Sequence, residues 1–553
     1  MGVNRTILWL YYFSLGLMMI SLPFSGYYMS VAQFCLVGVF ILDGMKRQEY
    51  DDFIKKHNSV LRVILFLPYG FTWLIKSLVR KFREFFHREN APAWIFASIF
   101  LFHIIGLFFT TDFHYAFHDL RIKLPILILP ILLSTTNILD RKGFNILMYL
   151  FTAAVFTGTL ISTYFYVAGK FSDSRELSIF ISHIRFSLLI DMSVFILAYM
   201  VIKKSDIPRW PKIIMSVAAV WMVAFLAISA FMTGLVIFFI TSAILIFYIV
   251  LIKQGTIMKI ITITGILILS LAAVFYIRGI GKAVNHIDPV DFNSLEKATK
   301  LGNPYWHDLT NPQVENGQYV WLYVATDELR SAWDQRSQYK FDGKDKAGQE
   351  IKYTLIRFLT SKGYRKDAEG VSRLTDQEVA MVEDGIASIL YTEKSNLYVR
   401  IYKIFWEYNR YQITHNPSGH SVMQRLEFWK AAGAIIRDNW LTGVGTGDIE
   451  QAFQDEYNRS GSLLEKEYRW RSHNQFLSIF AAFGIIGLAW FLFAMIFPAI
   501  RLSKFHDFYF LSFFIIILLS MFTEDTLETQ AGVTSFAFFY SFYLFAKKFI
   551  DII

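Results

Sequence analysis

Apolar residues in this chain gather into long runs separated by short charged stretches. As helices, runs of about 17–25 residues are long enough to cross roughly 30 Å of hydrocarbon. Twelve such runs occur, near residues 7–23, 27–42, 92–111, 120–136, 143–168, 178–202, 211–230, 232–252, 257–277, 473–499, 506–523 and 530–548. The pattern predicts an all-α polytopic membrane protein with about twelve transmembrane helices, the first of them retained at the N-terminus rather than cleaved. Residues 60–79 (VLRVILFLPYGFTWLIKSLV) are apolar too, but they carry Arg62, Pro68 and Lys76 and run into the basic RKFREFFHRE. That composition predicts an interfacial amphipathic helix within a cytoplasmic segment at 50–90.

Basic residues then set the orientation. With a cytoplasmic N-terminus, the inner loops hold Lys46-Arg47, Lys55-Lys56, Arg80-Lys81, Arg141-Lys142, Lys203-Lys204, Arg501 and the tail pair Lys547-Lys548, while the outer loop TEDTLET (523–529) is acidic. The chain accordingly divides into spans one to nine (1–277), an outer hydrophilic segment (278–472) and spans ten to twelve (473–553). A segment of that length is expected to fold as a domain on the outer face. Helical spacing in ELRSAWDQRSQY (328–339) and EIKYTLIRFLTS (350–361), a stop at Gly363 and the box Thr375-x-x-Glu378 predict a mainly helical one. The stretch NLYVRIYKIFWEYNRY (396–411) sets aromatic residues on one stripe, for core or membrane-surface packing, and Asn416-Pro417-Ser418-Gly419 breaks the chain after it.

Composition agrees with a membrane protein: 54% of the 553 residues are hydrophobic, 55 of them phenylalanine. The formal charge of +9 sits in the loops where orientation requires it, so no nucleic-acid partner is expected. The single cysteine, Cys35, permits neither an internal disulfide nor a thiolate metal site. Walker, zincin and clustered-carboxylate motifs are missing from the sequence, so no metal and no cofactor are expected.

Three ionisable residues stand out. Arg185 lies near the outer end of the sixth span, where an arginine either faces a polar cavity or an anion, or snorkels to the interface. Arg425 shares a helix face with Trp429 at i, i+4, and His473, followed by Asn474, stands where the tenth span begins. Histidine can take a proton from a hydroxyl near neutral pH, or simply cap the span. Between them TGVGTGD, centred on Gly445, has the wrong spacing for a dinucleotide fingerprint and reads as a packed turn or an anion cradle. The orientation places Arg185, Arg425 and His473 at one membrane face. Two permanent cations beside a potential base suit a lipid-linked substrate with a pyrophosphate leaving group and a nucleophilic hydroxyl.

These stretches resemble the O-antigen ligase superfamily of ligases, O-antigen polymerases and protein O-oligosaccharyltransferases. The likeness is carried by SHIRFSLL around Arg185, QRLEFWKAAGAIIRDNWLTGVGTGDIEQAF, SHNQFLSIFAAFGIIGLAWF and, less specifically, KLPILILPILL and EDTLETQAGV. The resemblance implies metal-independent, inverting transfer of an undecaprenyl-pyrophosphate-linked glycan to an acceptor hydroxyl. Lipid A-core is the first expectation for that acceptor, at the periplasmic face of the bacterial inner membrane, because the 290–415 insertion with its aromatic stripe at 398–406 suits an acceptor entry for a large amphiphile; a second lipid-linked glycan and then a polypeptide are the alternatives. It also implies that Arg185 and Arg425 bind the donor pyrophosphate and that His473 helps activate the acceptor, with Trp429, Asn474 and Gly445 in support. SAFMTG (229–234) lacks the arginine the family often has there, and NWLTGVG lacks the usual proline. The outer segment is also longer than the family pattern, with 290–415 reading as an addition. A transporter or flippase for lipid-linked glycans is the competing class. It calls for charges spread along a transport path, often from repeated halves, whereas the notable charges here gather at one face and no repeat is visible.

Overall fold

A computed structural model of the chain describes residues 5–43, 55–56, 59–136, 139–168, 174–253 and 255–551. Within them the architecture is all-helical, with one two-residue antiparallel ladder pairing Val314–Glu315 with Gln318–Tyr319. The first half contains α1 (Arg5–Ser21), α2 (Gly26–Asp43), α3 (Ser59–Phe85), α4 (Ala91–Ile105), α5 (Phe113–Ser134), α6 (Arg141–Val167), α7 (His183–Lys203), α8 (Arg209–Ser229), α9 (Met232–Lys253) and α10 (Thr256–Val284).

Among the described residues, eight stretches are long and apolar enough to cross a membrane: Gly26–Asp43, Arg88–Phe109, Arg141–Val167, His183–Lys203, Arg209–Ser229, Met232–Leu251, Thr256–Val284 and Gln475–Arg501. The other four runs read from the sequence are helical but shorter or more polar. α1 has 17 residues, and α5 carries Asp119, Lys123 and two prolines. The last two runs are α18 (Phe508–Ser520), with 13 residues, and α19 (Gln530–Ser541), continued by a π turn at Phe542–Ala546. The 60–79 run lies within α3, whose Lys81 pairs with Asp43 at the end of α2 (2.7 Å) and lies over the Phe40 ring.

α7 is the most buried of the candidate spans. It begins at His183, five residues later than the apolar run suggests, because the Ser182 hydroxyl caps the helix by accepting from the Arg185 amide. Arg185 therefore occupies the first turn of the helix rather than a deeper position.

Residues 285–395 form a lobe with its own core around Trp333, Leu355, Phe358, Leu359 and Val382, all fully buried. Its expected helices are present as α11 (Thr326–Arg336), α12 (Ile351–Ser361) and α13 (Asp376–Glu383). The Thr375/Glu378 capping box closes in both directions, and Gly363 adopts the left-handed conformation after α12. Residues 285–325, by contrast, are loops and the short ladder, so the lobe is less helical than the sequence suggests.

α14 (Asn396–Thr414) carries the aromatic stripe. Tyr402 and Trp406 are buried against Ile280 and Val284 at the end of α10, so this part of the stripe is interior packing rather than a surface beside the bilayer. Three longer helices follow: α15 (Ser421–Asp438), α16 (Ile449–Arg459) and α17 (Gln475–Arg501).

Candidate active site

Four separate parts of the chain meet at the mouth of the helical bundle. α7 brings Arg185, α15 brings Arg425, the turn before α17 brings His473, and the loop between α18 and α19 brings Glu524, Asp525 and Glu528. Glu524 joins two of the residues expected from sequence: Arg425 Nη2 donates to its Oε1 (2.8 Å), and His473 Nδ1 lies 3.6 Å from its Oε2. Burial pushes the Glu524 carboxyl up, but the neighbouring His473 and the hydrogen-bonded Arg425 outweigh it and hold the group below the usual carboxylate range. Arg185 donates to the Thr529 hydroxyl at the start of α19 and lines the same cavities as Glu524.

His473 is held in an unusual backbone conformation. Its φ is +46°, in the left-handed region that a non-glycine residue enters at a cost. Asp525 stabilises that geometry by accepting from the His473 amide (2.9 Å) while also taking the Ser478 hydroxyl (2.8 Å). Asn474 then caps α17, accepting from the amides of Phe476 and Leu477 and donating to the Phe522 carbonyl. The imidazole lies over Phe428 of α15, with ring centroids 5.4 Å apart. Together these contacts fix the ring's position with its Nδ1 edge toward Glu524.

Beneath His473 lies a buried ionic network. Glu528 pairs with Lys123 (2.8 Å) and Arg471 (2.9 Å), and Lys123 also pairs with Asp119. Arg471 donates to Tyr115 Oη (2.8 Å), and Gln475 spans the loop by accepting from the Leu527 amide (2.6 Å) and donating to Glu528 (3.3 Å). Burial alone would raise Glu528, but Arg471 and Lys123 hold it below the carboxylate range. Breaking such a pair by removing one partner typically costs about 3–5 kcal/mol.

The glycine turn is packed rather than open. Inside α17, Gly484 (φ +63°, ψ −167°) breaks the helix and leaves nearby carbonyls without helical donors. The turn fills that gap: Val444 and Gly445 amides donate to Ala481 and Ala482, and Ile485 donates back to Trp440 (2.8 Å). A Cβ on Gly445 would press on Phe109 O and Thr110 Oγ1, both 3.0 Å away. With these amides committed, the turn locks α15 to α17 and is not an anion cradle. Trp429 is 39% exposed, and Arg425 directs its hydrogen bonds to Ser421 and Glu524 instead.

Two cavities meet at this cluster, and Arg185, Glu524 and Asp525 line both. One descends between α2, α7, α18 and α19 and is apolar, walled by Leu188, Leu189, Met192, Phe513, Ile517 and Phe539. The other opens on the polar side, lined by His473, Arg471, Arg469, Trp470, Tyr115 and Glu450. A ligand that fills both has an apolar tail and a polar head, with its junction beside Arg185 and Glu524.

The sequence picked out Arg185, Arg425 and His473 but not Glu524, Asp525, Glu528, Arg471 or Lys123. The signal for the carboxylates was the acidic TEDTLET loop, which served there as an orientation marker and, within EDTLETQAGV, as a weak part of the family resemblance.

Residues 385–492 match the O-antigen ligase family model, a stretch that includes Arg425, the glycine turn and His473. No curated protein matches the chain. The family match supports membership of the chain in the O-antigen ligase superfamily, whose members are membrane glycosyltransferase-like enzymes acting on lipid-linked glycans. Glycosyl transfer of the O-antigen ligase or polymerase type is the activity it supports.

Proposed function

We propose that the protein transfers the glycan of an undecaprenyl-pyrophosphate-linked donor to a hydroxyl of lipid A-core, at the periplasmic face of the bacterial inner membrane. The observation that carries this reading is the meeting of an apolar and a polar cavity at Arg185, Glu524 and Asp525, with His473 on the polar side and Arg425 bonded to Glu524. The polyprenyl chain occupies the apolar cavity and the pyrophosphate lies between the two guanidinium groups, which match phosphate oxygens in a planar fork. Glu524 holds Arg425 in place until phosphate takes over that partner.

His473 accepts the proton of the attacking hydroxyl through Nε2, while the Glu524 carboxylate on the Nδ1 side orients the ring and stabilises the imidazolium. The acceptor oxygen bonds to the anomeric carbon as its bond to the pyrophosphate oxygen breaks. Attack opposite the leaving group inverts the configuration. The departing pyrophosphate carries away the bonding pair, and the arginines stabilise that charge without a metal.

Twelve spans, with both termini cytoplasmic and 278–472 periplasmic, complete the proposal. Tyr402 and Trp406 of the α14 stripe are buried and lend no support to an acceptor entry there, so the choice of lipid A-core over a second lipid-linked glycan rests on the open polar cavity. The glycan profile of a deletion strain tests it. Polymerised glycan accumulating on the carrier lipid beside bare lipid A-core is the expected result, whereas single repeat units on lipid A-core would make the protein a polymerase and overturn the ligase reading.

A further inference from the structure

We infer that the 285–395 lobe carries a second saccharide-binding site, separate from the membrane cluster. A cleft of about 420 Å³ lies between the lobe and the last turns of α14, within the roughly 300–1,000 Å³ range of small-ligand pockets. Its floor is aromatic. Trp321 packs edge-on against Tyr353 (centroids 6.1 Å, 80°) and, on its other side, against Trp306 (6.1 Å, 70°). Tyr353 is 48% exposed and Trp306 is 52% exposed, so the rings form a track at the surface rather than a sealed core. Trp306 continues the track into a shallower groove with Asn303, Asp327, Ser331 and Gln335.

Around the rings stand side chains that both donate and accept. Asn311, Gln313, Gln349 and Thr354 come from the lobe and Thr414 from α14. Trp321 Nε1 donates to Gln313 Oε1 (3.0 Å), which fixes the indole plane and leaves the Gln313 amide NH₂ as a donor. A pyranose has an apolar C–H face and a rim of hydroxyls that are each donor and acceptor, so exposed rings edged by carboxamides match it on both counts.

The charges refine the class. Arg357 is neutralised by Glu315 (2.8 Å), and Glu350 pairs with Lys352 (2.6 Å). Arg410, exposed at the α14 wall, is thus the cation positioned for a carboxylate or phosphate on the sugar. The lobe walls of the cleft lie outside the 385–492 family match, whereas Arg410 and Thr414 of the α14 wall lie within it. A track of rings that extends past one cavity fits an oligosaccharide better than a single sugar.

The test uses the full-length protein in detergent and, as probe, oligosaccharides released by mild acid from the host's own O-glycan, with neutral dextran oligosaccharides for comparison. Calorimetry is expected to show binding that weakens at least tenfold in Tyr353→Ala. Arg410→Ala should weaken binding of acidic fragments more than neutral ones. Arg185→Ala, at the membrane cluster, should leave the affinity unchanged. Absence of binding in the wild type, undiminished binding in both Tyr353→Ala and Arg410→Ala, or loss of binding in Arg185→Ala would each overturn the proposal. Tyr353 is surface-exposed, so its variant should fold normally, which its thermal unfolding checks. Because transfer activity is not the readout, failure here is distinguishable from failure of the membrane-site reading.

Discussion

Glu524 links the only two of the three sequence-marked residues that share a direct partner, and its charge is the residue-scale feature most open to attack. If it orients His473 and stabilises the imidazolium, Glu524→Gln should lower kcat at least tenfold. It should not raise KM for the lipid-linked donor, because removing a carboxylate frees Arg425 for phosphate. A parallel rise in KM with unchanged kcat, measured with purified enzyme and donor, would rule this role out. His473→Ala should reduce transfer by about two to four orders of magnitude while leaving membrane insertion intact, since general-base catalysis contributes about that much. Arg185 and Arg425 were legible because an arginine near a span end or ahead of a glycine turn is conspicuous, and His473 because it opens an apolar run. Glu524 lies 51 residues beyond His473. In an acidic outer loop its charge is accounted for by orientation, and only the fold shows that it turns inward.

At the scale of elements, the junction of the 439–447 turn with α17 holds the Arg425 helix against the His473 turn. Gly484 sits in a backbone region that essentially only glycine occupies, and a Cβ there would collide with the Leu441 carbonyl. Gly484→Ala should therefore cost at least about 1–3 kcal/mol from backbone strain alone. Lower thermal stability in detergent is expected, together with loss of transfer. A variant of normal stability would show that the turn does not depend on the break. The sequence revealed the turn but not its receptacle, because one glycine inside an apolar run leaves the helical pattern intact. It likewise placed Lys123 in KLPILILPILL without showing its partner, since Glu528 lies 405 residues away in sequence. Glu528→Gln should destabilise the bundle by about 3–5 kcal/mol, seen as a lower thermal midpoint, because Lys123 and Arg471 would be left buried with less counter-charge.

For the whole molecule, the hydropathy pattern anticipated helices in every apolar run, since these follow from local composition, but not that 285–395 has its own core while Phe428, Phe453 and Tyr457 pack into the main bundle. It could not show that the lobe's 285–325 portion is largely loop, because ladders and bridges such as Trp306 to Val324 depend on tertiary partners. The topology is testable directly: reporter fusions at residue 345 should be active only outside the cytoplasm, and cytoplasmic activity would defeat the proposed orientation. The lobe's stability should also depend on pH through Lys366, which is buried at 3% exposure with its ammonium near the Tyr319 carbonyl (3.3 Å). Burial, aided by Arg365 and opposed by Asp367, lowers the Lys366 amine from 10.5 to about 7. Because the folded value is depressed, the unfolded chain holds the proton more tightly. Stability is fully present above about 10.5, falls as the pH drops toward 7 and is lost below it. One pKa unit corresponds to about 1.4 kcal/mol, so the swing amounts to a few kcal/mol. Limited proteolysis within 320–382 should be faster at pH 6 than at pH 9 after correction for the protease's own pH response. Lys366→Met, of similar length and without the charge, should slow cleavage at pH 6 and remove most of the difference. Equal pH sensitivity in the two proteins would show that another group governs the lobe.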